Sequence, residues 1–309
     1  MFKKLFLTLF LTYLCSVSAL LSATPVDGPS QKESSKILTL QILPGNTLAV
    51  EISASDLSSF SPFVKFNDKA YPFFEHPKIK NAAQRKLIAL IPMPFETTSG
   101  SHQVEIWSKT SESESSAFLI DTLSFTVKKD TYRTIVIKVA EEKTNLSPEN
   151  KKRADLEWEK VKKIFSESKQ ERLWNDPFTN PIDASVTSEF GVKRMFNKTV
   201  QSFHRGLDLR AAPRTKIHAS NAGIVRLAEN LFYAGNQVII DHGFGIFSSY
   251  AHLSKILVEP GQLVKRGDVV GLSGDTGRVS GPHLHWGVSL SGFSVDPSQF
   301  KKAISILFK

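Results

Sequence analysis

The 309-residue chain contains a single cysteine, Cys15, and only three methionines. Beyond Cys15 no disulfide can form and no thiol can serve as nucleophile or metal ligand. Any metal or catalytic chemistry must then come from His, Asp, Glu or hydroxyl groups. Long apolar runs are equally scarce. Only residues 5–23 approach transmembrane length, which excludes a polytopic membrane protein. There is no Cys/His finger, no basic heptad helix and no RNP-like aromatic signature, so nucleic acid is not an expected partner. Wholesale disorder is excluded as well, because 41% of the residues are hydrophobic against 22% charged. The length exceeds what one hydrophobic core usually supports, and two globular units are expected.

Charge is present in excess of one sign, +9 overall, and unevenly placed. Residues 178–309 carry 15 Lys/Arg against 9 Asp/Glu, whereas residues 24–177 carry 22 against 21. The basic C-terminal part suits a polyanionic or carboxylate-bearing partner. At the N-terminus Lys3 and Lys4 precede an apolar run from Leu5 to Leu14, followed by small residues through Ala23. That order is a secretory signal over residues 1–23, with cleavage after Ala19 or Ala23. The alternative is an uncleaved anchor, the one membrane contact expected of this chain. Lipidation at Cys15 is disfavoured by the bulk of Leu14. The expectation is an exported, cysteine-free mature chain, with a lean toward a Gram-negative periplasm.

Residues 24–35 read as a polar leader. From there to residue 140 the apolar period is two: Leu38, Leu40 and Ile42, then Leu48, Val50 and Ile52 after the turn Pro44-Gly45-Asn46. Further strands are expected at 86–91, 103–107, 118–127 and 133–139, with 111–116 as a solvated hairpin tip. Short strands between Gly, Pro, Asn and Ser clusters predict an Ig-like β-sandwich over 36–140. Its two histidines, His76 and His102, read as isolated surface residues. Ser147, Pro148 and Glu149 are helix-start chemistry. Leu156, Val161, Ile164, Phe165 and Leu173 then predict a connecting amphipathic helix over 147–175, ended by Asp176-Pro177. From 178 to 309 strands and glycine turns return, with strands expected at 217–227, 237–241, 245–250, 262–264, 268–272 and 284–289. The chain is therefore expected to be mainly β.

Six of the eight histidines fall in this last unit. Two patterns stand out: His204-Arg205-Gly206-Leu207-Asp208, and Gly281-Pro282-His283-Leu284-His285-Trp286-Gly287. On an extended chain 204, 206 and 208 share a face, and Gly206 would leave room for an ion between its neighbours. His283 and His285 likewise share a face, with Leu284 and Trp286 anchored in the core behind them. A zinc that keeps one position open needs three protein ligands. One His and one Asp from the first pattern and one His from the second would supply them. The spacing leaves open which member of the His-x-His pair that is. The other member, with His252 in Tyr250-Ala251-His252-Leu253, could face the open position as a proton acceptor or donor.

From about Pro181 to Phe300 these motifs form an ordered series. It contains Ser188-Glu189-Phe190-Gly191, His204-x-Gly206-x-Asp208, Gly235-Asn236 and Asp241-His242-Gly243. It continues through Tyr250-x-His252-Leu253, Gly261-Gln262, Gly274-Asp275-Thr276-Gly277 and Gly281-Pro282-His283-Leu284-His285. The series resembles the lysostaphin-type zinc metalloendopeptidases of bacterial peptidoglycan. The resemblance implies that His204, Asp208 and His285 bind one zinc per chain and that His252 and His283 are catalytic. It further implies a duplicated β-hybrid fold with the metal in a groove, and peptidoglycan stem peptides as the substrate. The sequence departs from the family at Arg214, where glycine is usual, and at Phe190, where some members place a tyrosine near the metal. His218 is expected to be exposed, and His242 structural at a strand end. Two other readings compete. A non-catalytic binding or activator module of the same fold would lack ligands, yet all five positions carry suitable residues. A biotinyl/lipoyl or phosphotransfer carrier needs a modified lysine turn, or leaves Asp208 unexplained.

Overall fold

Alternation of apolar side chains builds most of this protein, seen in a computed structural model that describes residues 34–39, 41–53, 60–79, 85–110, 117–137, 147–196 and 199–309. The expected signal segment with Cys15, the leader before residue 34 and the hairpin tip at 111–116 lie outside the described residues. Among the described residues no helix is long and apolar enough to cross a membrane.

The first half contributes β1 (Ser35–Ile37), β2 (Thr47–Ser53), β3 (Phe60–Phe66), β4 (Lys69–Pro72), β5 (Phe74–Glu75), β6 (Lys86–Pro92), β7 (Gly100–Thr110), β8 (Ala117–Val127) and β9 (Thr134–Ile137). The first eight form two four-stranded sheets, β1-β2-β6-β5 and β4-β3-β7-β8. Leu48, Val50 and Ile52 of β2 and Leu87, Ala89 and Ile91 of β6 meet Val64, Val104, Ile106 and Val127 of the facing sheet. The alternate residues, Ala49, Ile88 and Leu90, enter a second core shared with Trp174, Phe178, Trp286 and Phe300. Both faces of β2 and β6 are thus buried, which is why Lys86–Pro92 is a continuous apolar run rather than an alternating one. Gln299 ties the halves further: it accepts from the Thr47 amide at 2.7 Å and donates to the Thr47 carbonyl at 3.0 Å.

The connecting helix α1 spans Pro148–Ser166, capped by Ser147, whose hydroxyl accepts from the Asn150 amide. It is shorter than the expected 147–175. Asp241, fully buried, accepts from Ser168 Oγ at 2.7 Å and the Lys169 amide at 3.0 Å, and this pulls the chain out of the helix. Leu173 consequently lies in an extended segment, its amide donating to the His242 carbonyl, and Leu156 is 63% exposed rather than part of the packed face. Val161 and Ile164 carry that face, against Leu227, Leu231, Ile239 and Phe247.

The second half contains β10 (Val186–Ser188), β11 (Lys193–Phe196), β12 (Thr199–Phe203), β13 (Leu207–Leu209), β14 (Lys216–His218), β15 (Gly223–Leu231), β16 (Gly235–Gly243), β17 (Ile246–Ile256), β18 (Leu263–Val264), β19 (Val269–Ser273), β20 (Leu284–Leu290) and β21 (Phe293–Val295). Ten of these make one sheet with the path β10-β13-β20-β17-β16-β15-β18, and β9 of the first half joins β11 and β12 in a separate three-stranded sheet. The stretch expected as one strand at 217–227 is two, β14 and β15. The turn between them is held by the Ser220 amide donating to Tyr250 OH and by Asn221 Nδ2 donating to the Asp176 carbonyl. A closing helix α2 (Pro297–Ile306), not anticipated, buries Phe300, Ala303 and Ile304.

Candidate metal centre

The register of β13 on β20 sets Asp208 opposite His285, between the pairs Leu207–Trp286 and Leu209–Leu284. Those four flanking side chains are all buried, so Asp208 and His285 project together from the other face. His204 is delivered by the turn after β12, where its amide donates to the Val192 carbonyl and its own carbonyl accepts from Gly191. Three donor atoms converge: His204 Nε2 lies 3.0 Å from Asp208 Oδ1 and 3.1 Å from His285 Nδ1, which lies 2.9 Å from Asp208 Oδ1. The sequence led to the expectation that Gly206 leaves room for an ion, but the space beside it is taken by the β20 backbone and the His285 ring. A Cβ there would stand 2.6 Å from the Trp286 carbonyl and 2.8 Å from His285 Nε2. The glycine admits the β20 backbone and the His285 ring.

The donor chemistry fits a divalent metal. His204 Nδ1–H donates to the Glu189 carbonyl at 2.7 Å, which turns Nε2 into the site as a lone pair. Tetrahedral zinc ligands at 2.0–2.2 Å are separated by roughly 3.3–3.6 Å, so the triangle would open by about 0.2–0.7 Å per edge on taking up an ion. Two nitrogens and one carboxylate oxygen, without sulfur, make the donor set of an open catalytic site. Burial alone would raise the Asp208 carboxyl, but the imidazoles of His204 and His285 outweigh it and hold the group well below the usual carboxylate range. Burial likewise pushes His285 down, against the pull of Asp208, which favours the neutral imidazole that a metal requires. Among the described residues these three form the one cluster of this kind.

Two further imidazoles close on the triangle. The His252 ring lies 4.9 Å from His283 and 6.0 Å from His285. His252 sits at a bulge where Ala251 and His252 together oppose Gln237, and its φ is +63°, strained for a non-glycine residue. The bulge re-aims the side chain so that Nδ1–H donates to the Thr276 carbonyl at 2.9 Å. His283 Nδ1–H donates to the Gly281 carbonyl at 2.8 Å, and its Nε2 stands 3.6 Å from Asp208 Oδ1. Both therefore present Nε2. Burial, with the nearby His285, lowers His252 to about 4.

The structure thus brings all five sequence-selected residues together. Thr276 was only part of a motif in the sequence. Here its hydroxyl donates to the Leu253 carbonyl, it accepts from the Asn236 amide, and its own carbonyl holds His252. A Cβ on Gly235 would stand 2.3 Å from Thr276, which is why glycine is needed there. Glu189, also only part of a motif in the sequence, acts through its carbonyl rather than its side chain. Arg214 adopts φ +67° in an exposed turn. Phe190 is buried against Phe95 and Tyr132. His242 is structural, bonded to the Ala222 carbonyl and Ser248 Oγ. His218, expected to be exposed, is half-buried with Nδ1 on the Gly267 carbonyl. His76 and His102 are half-buried as well, the latter against Phe66 and Phe125.

Residues 202–297 match Peptidase family M23. The chain is 42% identical over 119 residues to the peptidoglycan DD-endopeptidase ShyA of Vibrio cholerae, a segment that is 38% of this chain and 28% of that protein. It is 35% identical over 112 residues to the DD-carboxypeptidase/endopeptidase Mpg of Neisseria meningitidis, 36% of this chain and 26% of that one. The chain thus spans only about a quarter of the length of these curated relatives. A solved Pseudomonas aeruginosa protein, described as a candidate M23 peptidase, superposes with a TM-score of 0.62 at 28% identity. That match covers 85% of this chain and 96% of the other, so it includes the β-rich first half.

Proposed function

We propose, from the premise that residues 202–297 are a Peptidase family M23 domain, that this chain is an exported zinc metalloendopeptidase hydrolysing peptide cross-links of bacterial peptidoglycan. The observation that carries the reading is the triangle of His204 Nε2, Asp208 Oδ1 and His285 Nδ1, faced by the Nε2 atoms of His252 and His283. A zinc ion held there would polarise a carbonyl and make water more acidic. His252, deprotonated above about pH 4 and pinned through Nδ1, accepts a proton at Nε2 from the attacking water. His252 can return that proton from Nε2 to the leaving amine, while His283, pinned in the same sense by the Gly281 carbonyl, faces the same space through Nε2.

Relatives named as peptidoglycan DD-endopeptidases support the stem-peptide substrate and favour the D-alanine–diaminopimelate cross-link. Lys3, Lys4 and the following apolar run support export, and the lack of cysteine beyond Cys15 agrees with the lean toward a Gram-negative periplasm. The test is digestion of purified cross-linked sacculi with the zinc-loaded full chain, followed by mass spectrometry of the muropeptides. Monomers should appear at the expense of dimers. Unchanged dimers from a protein with metal bound would instead favour a non-catalytic binding module.

A further inference from the structure

His285 lines a cavity of about 430 Å³ between α1, the Phe95 loop and the sheet floor. Arg205, next in the chain to His204, is the one basic residue lining it. Its guanidinium lies 5.3 Å from the ring of Trp158 on α1 and 5.3 Å from the ring of Phe203 at the end of β12. Phe203 in turn lies flat on Phe95, with ring centres 3.8 Å apart and planes inclined by 7°. The cation is therefore held by an aromatic column that joins the first half of the chain to the second. Both contacts set the guanidinium carbon over an aromatic ring, and neither uses its N–H donors in a hydrogen bond to another residue.

Those donors have no carboxylate or carbonyl partner among the described residues. Arginines on α1 and β15 are engaged: Arg153 pairs with Glu157, and Arg226 with Asp241 and Glu167. The cavity's own acids do not quench Arg205. Glu157 is occupied by Arg153 at 2.7 Å and by the Phe232 amide at 2.7 Å, and Glu96 makes no ion pair with it. A held, exposed guanidinium with unused donors in the same cavity as His285 matches one ligand chemistry, a carboxylate taken in a two-pronged contact.

We propose that Arg205 is a specificity-determining residue that binds a free carboxylate of the cross-linked peptide beside the scissile amide. The chain then prefers cross-links bearing that carboxylate to those in which it is amidated or absent, as in oligoglycine. This rests on the peptidoglycan reading above, and deepens it by naming the group recognised.

The test uses the zinc-loaded full chain and two matched pairs of muropeptides, differing only in amidation of the diaminopimelate carboxylate. Calorimetry reads binding of the uncross-linked monomers, and kcat/KM is read on the corresponding dimers. A hydrogen-bonded charge pair predicts that the free acid is favoured by about 10- to 100-fold in both. Arg205→Gln should remove that difference, and Arg205→Lys, with charge but no planar fork, should restore only part of it. Zinc content and Tm of each variant show whether the neighbouring ligand His204 has moved. Equal affinity for the two monomers, a preference that survives Arg205→Gln, or no binding of either monomer overturns the proposal. If the binding preference holds while neither dimer is cleaved, the hydrolase reading fails and the carboxylate site stands. Cleavage of both dimers at equal rates leaves the hydrolase and removes the site.

Discussion

Gly206→Ala should cripple the metal centre without touching a ligand. The glycine carries no left-handed φ, so alanine costs nothing in backbone strain and the effect is one of contact alone. The new Cβ would meet the Trp286 carbonyl at 2.6 Å and His285 Cε1 and Nε2 at 2.8 Å. A carbon–oxygen contact needs about 3.3 Å, so β13 and β20 must part by roughly 0.7 Å or the imidazole must swing away. The backbone has little freedom. Trp286 is 1% exposed and sits in register with both Leu207 and Tyr250. The ring yields first, carrying His285 Nδ1 off a triangle whose ligand distances tolerate only about 0.2 Å. Losing that support should weaken metal binding about 10- to 100-fold, the usual effect of disturbing what orients a ligand. Competition against a chromophoric chelator measures the affinity directly. Thermal unfolding with excess chelator separately reads the overpacking cost, about 1–3 kcal/mol. An alanine variant with unchanged affinity and unchanged Tm would show that the β13–β20 crossing does not hold His285 in place.

The histidines should separate by role. His204→Ala and His285→Ala should lose zinc and turnover together, whereas His252→Ala and His283→Ala should keep one zinc per chain while kcat falls about 10²- to 10⁴-fold. If His283→Ala empties the site and His285→Ala stays metallated, the pair is reversed. Stability should also fall on mild acidification through His242. Burial lowers this imidazole to about 4, so it stays neutral in the folded chain at pH values where the unfolded chain is already protonated. Its contribution is complete above about pH 6.5 and is lost between about 6.5 and 4, a drop of about 3 kcal/mol. Urea unfolding at pH 7 and pH 4.5 should show that slope, reduced in His242→Gln; an identical slope in the variant would remove His242 as its source.

Much of the site could be read in the sequence because its five side chains sit in two short motifs and one tetrapeptide, with period-two alternation deciding which way those on β13 and β20 point. Leu284 and Trp286 go into the core, so His283 and His285 come out. What period two cannot report is the partner across the sheet. The pairing of Asp208 with His285 depends on the β13–β20 register, and the carbonyls of Glu189, Thr276 and Gly281 that select each imidazole tautomer carry no residue-type signature. His252 reaches the site only because a bulge gives it a left-handed backbone, a conformation its residue type does not announce.

The helix boundary shows the same limit from the opposite direction. Local chemistry placed the start of α1 correctly, because a Ser cap with Pro and Glu behind it acts within one turn. Nothing local marks its end at Ser166, since Lys and Glu continue and the next proline is Pro177. The chain leaves the helix where a buried carboxylate more than seventy residues away, Asp241, takes Ser168 and the Lys169 amide. That capture has a functional consequence. Were α1 to run on to residue 175, the extended segment that pairs Leu173 with the His242 carbonyl and seats Trp174 against Phe74 could not form. The first half would then lose part of the core it shares with Trp286, the residue whose burial turns His285 toward the metal centre. A buried carboxylate more than seventy residues away thereby governs whether the strand carrying His285 is backed by one core or two.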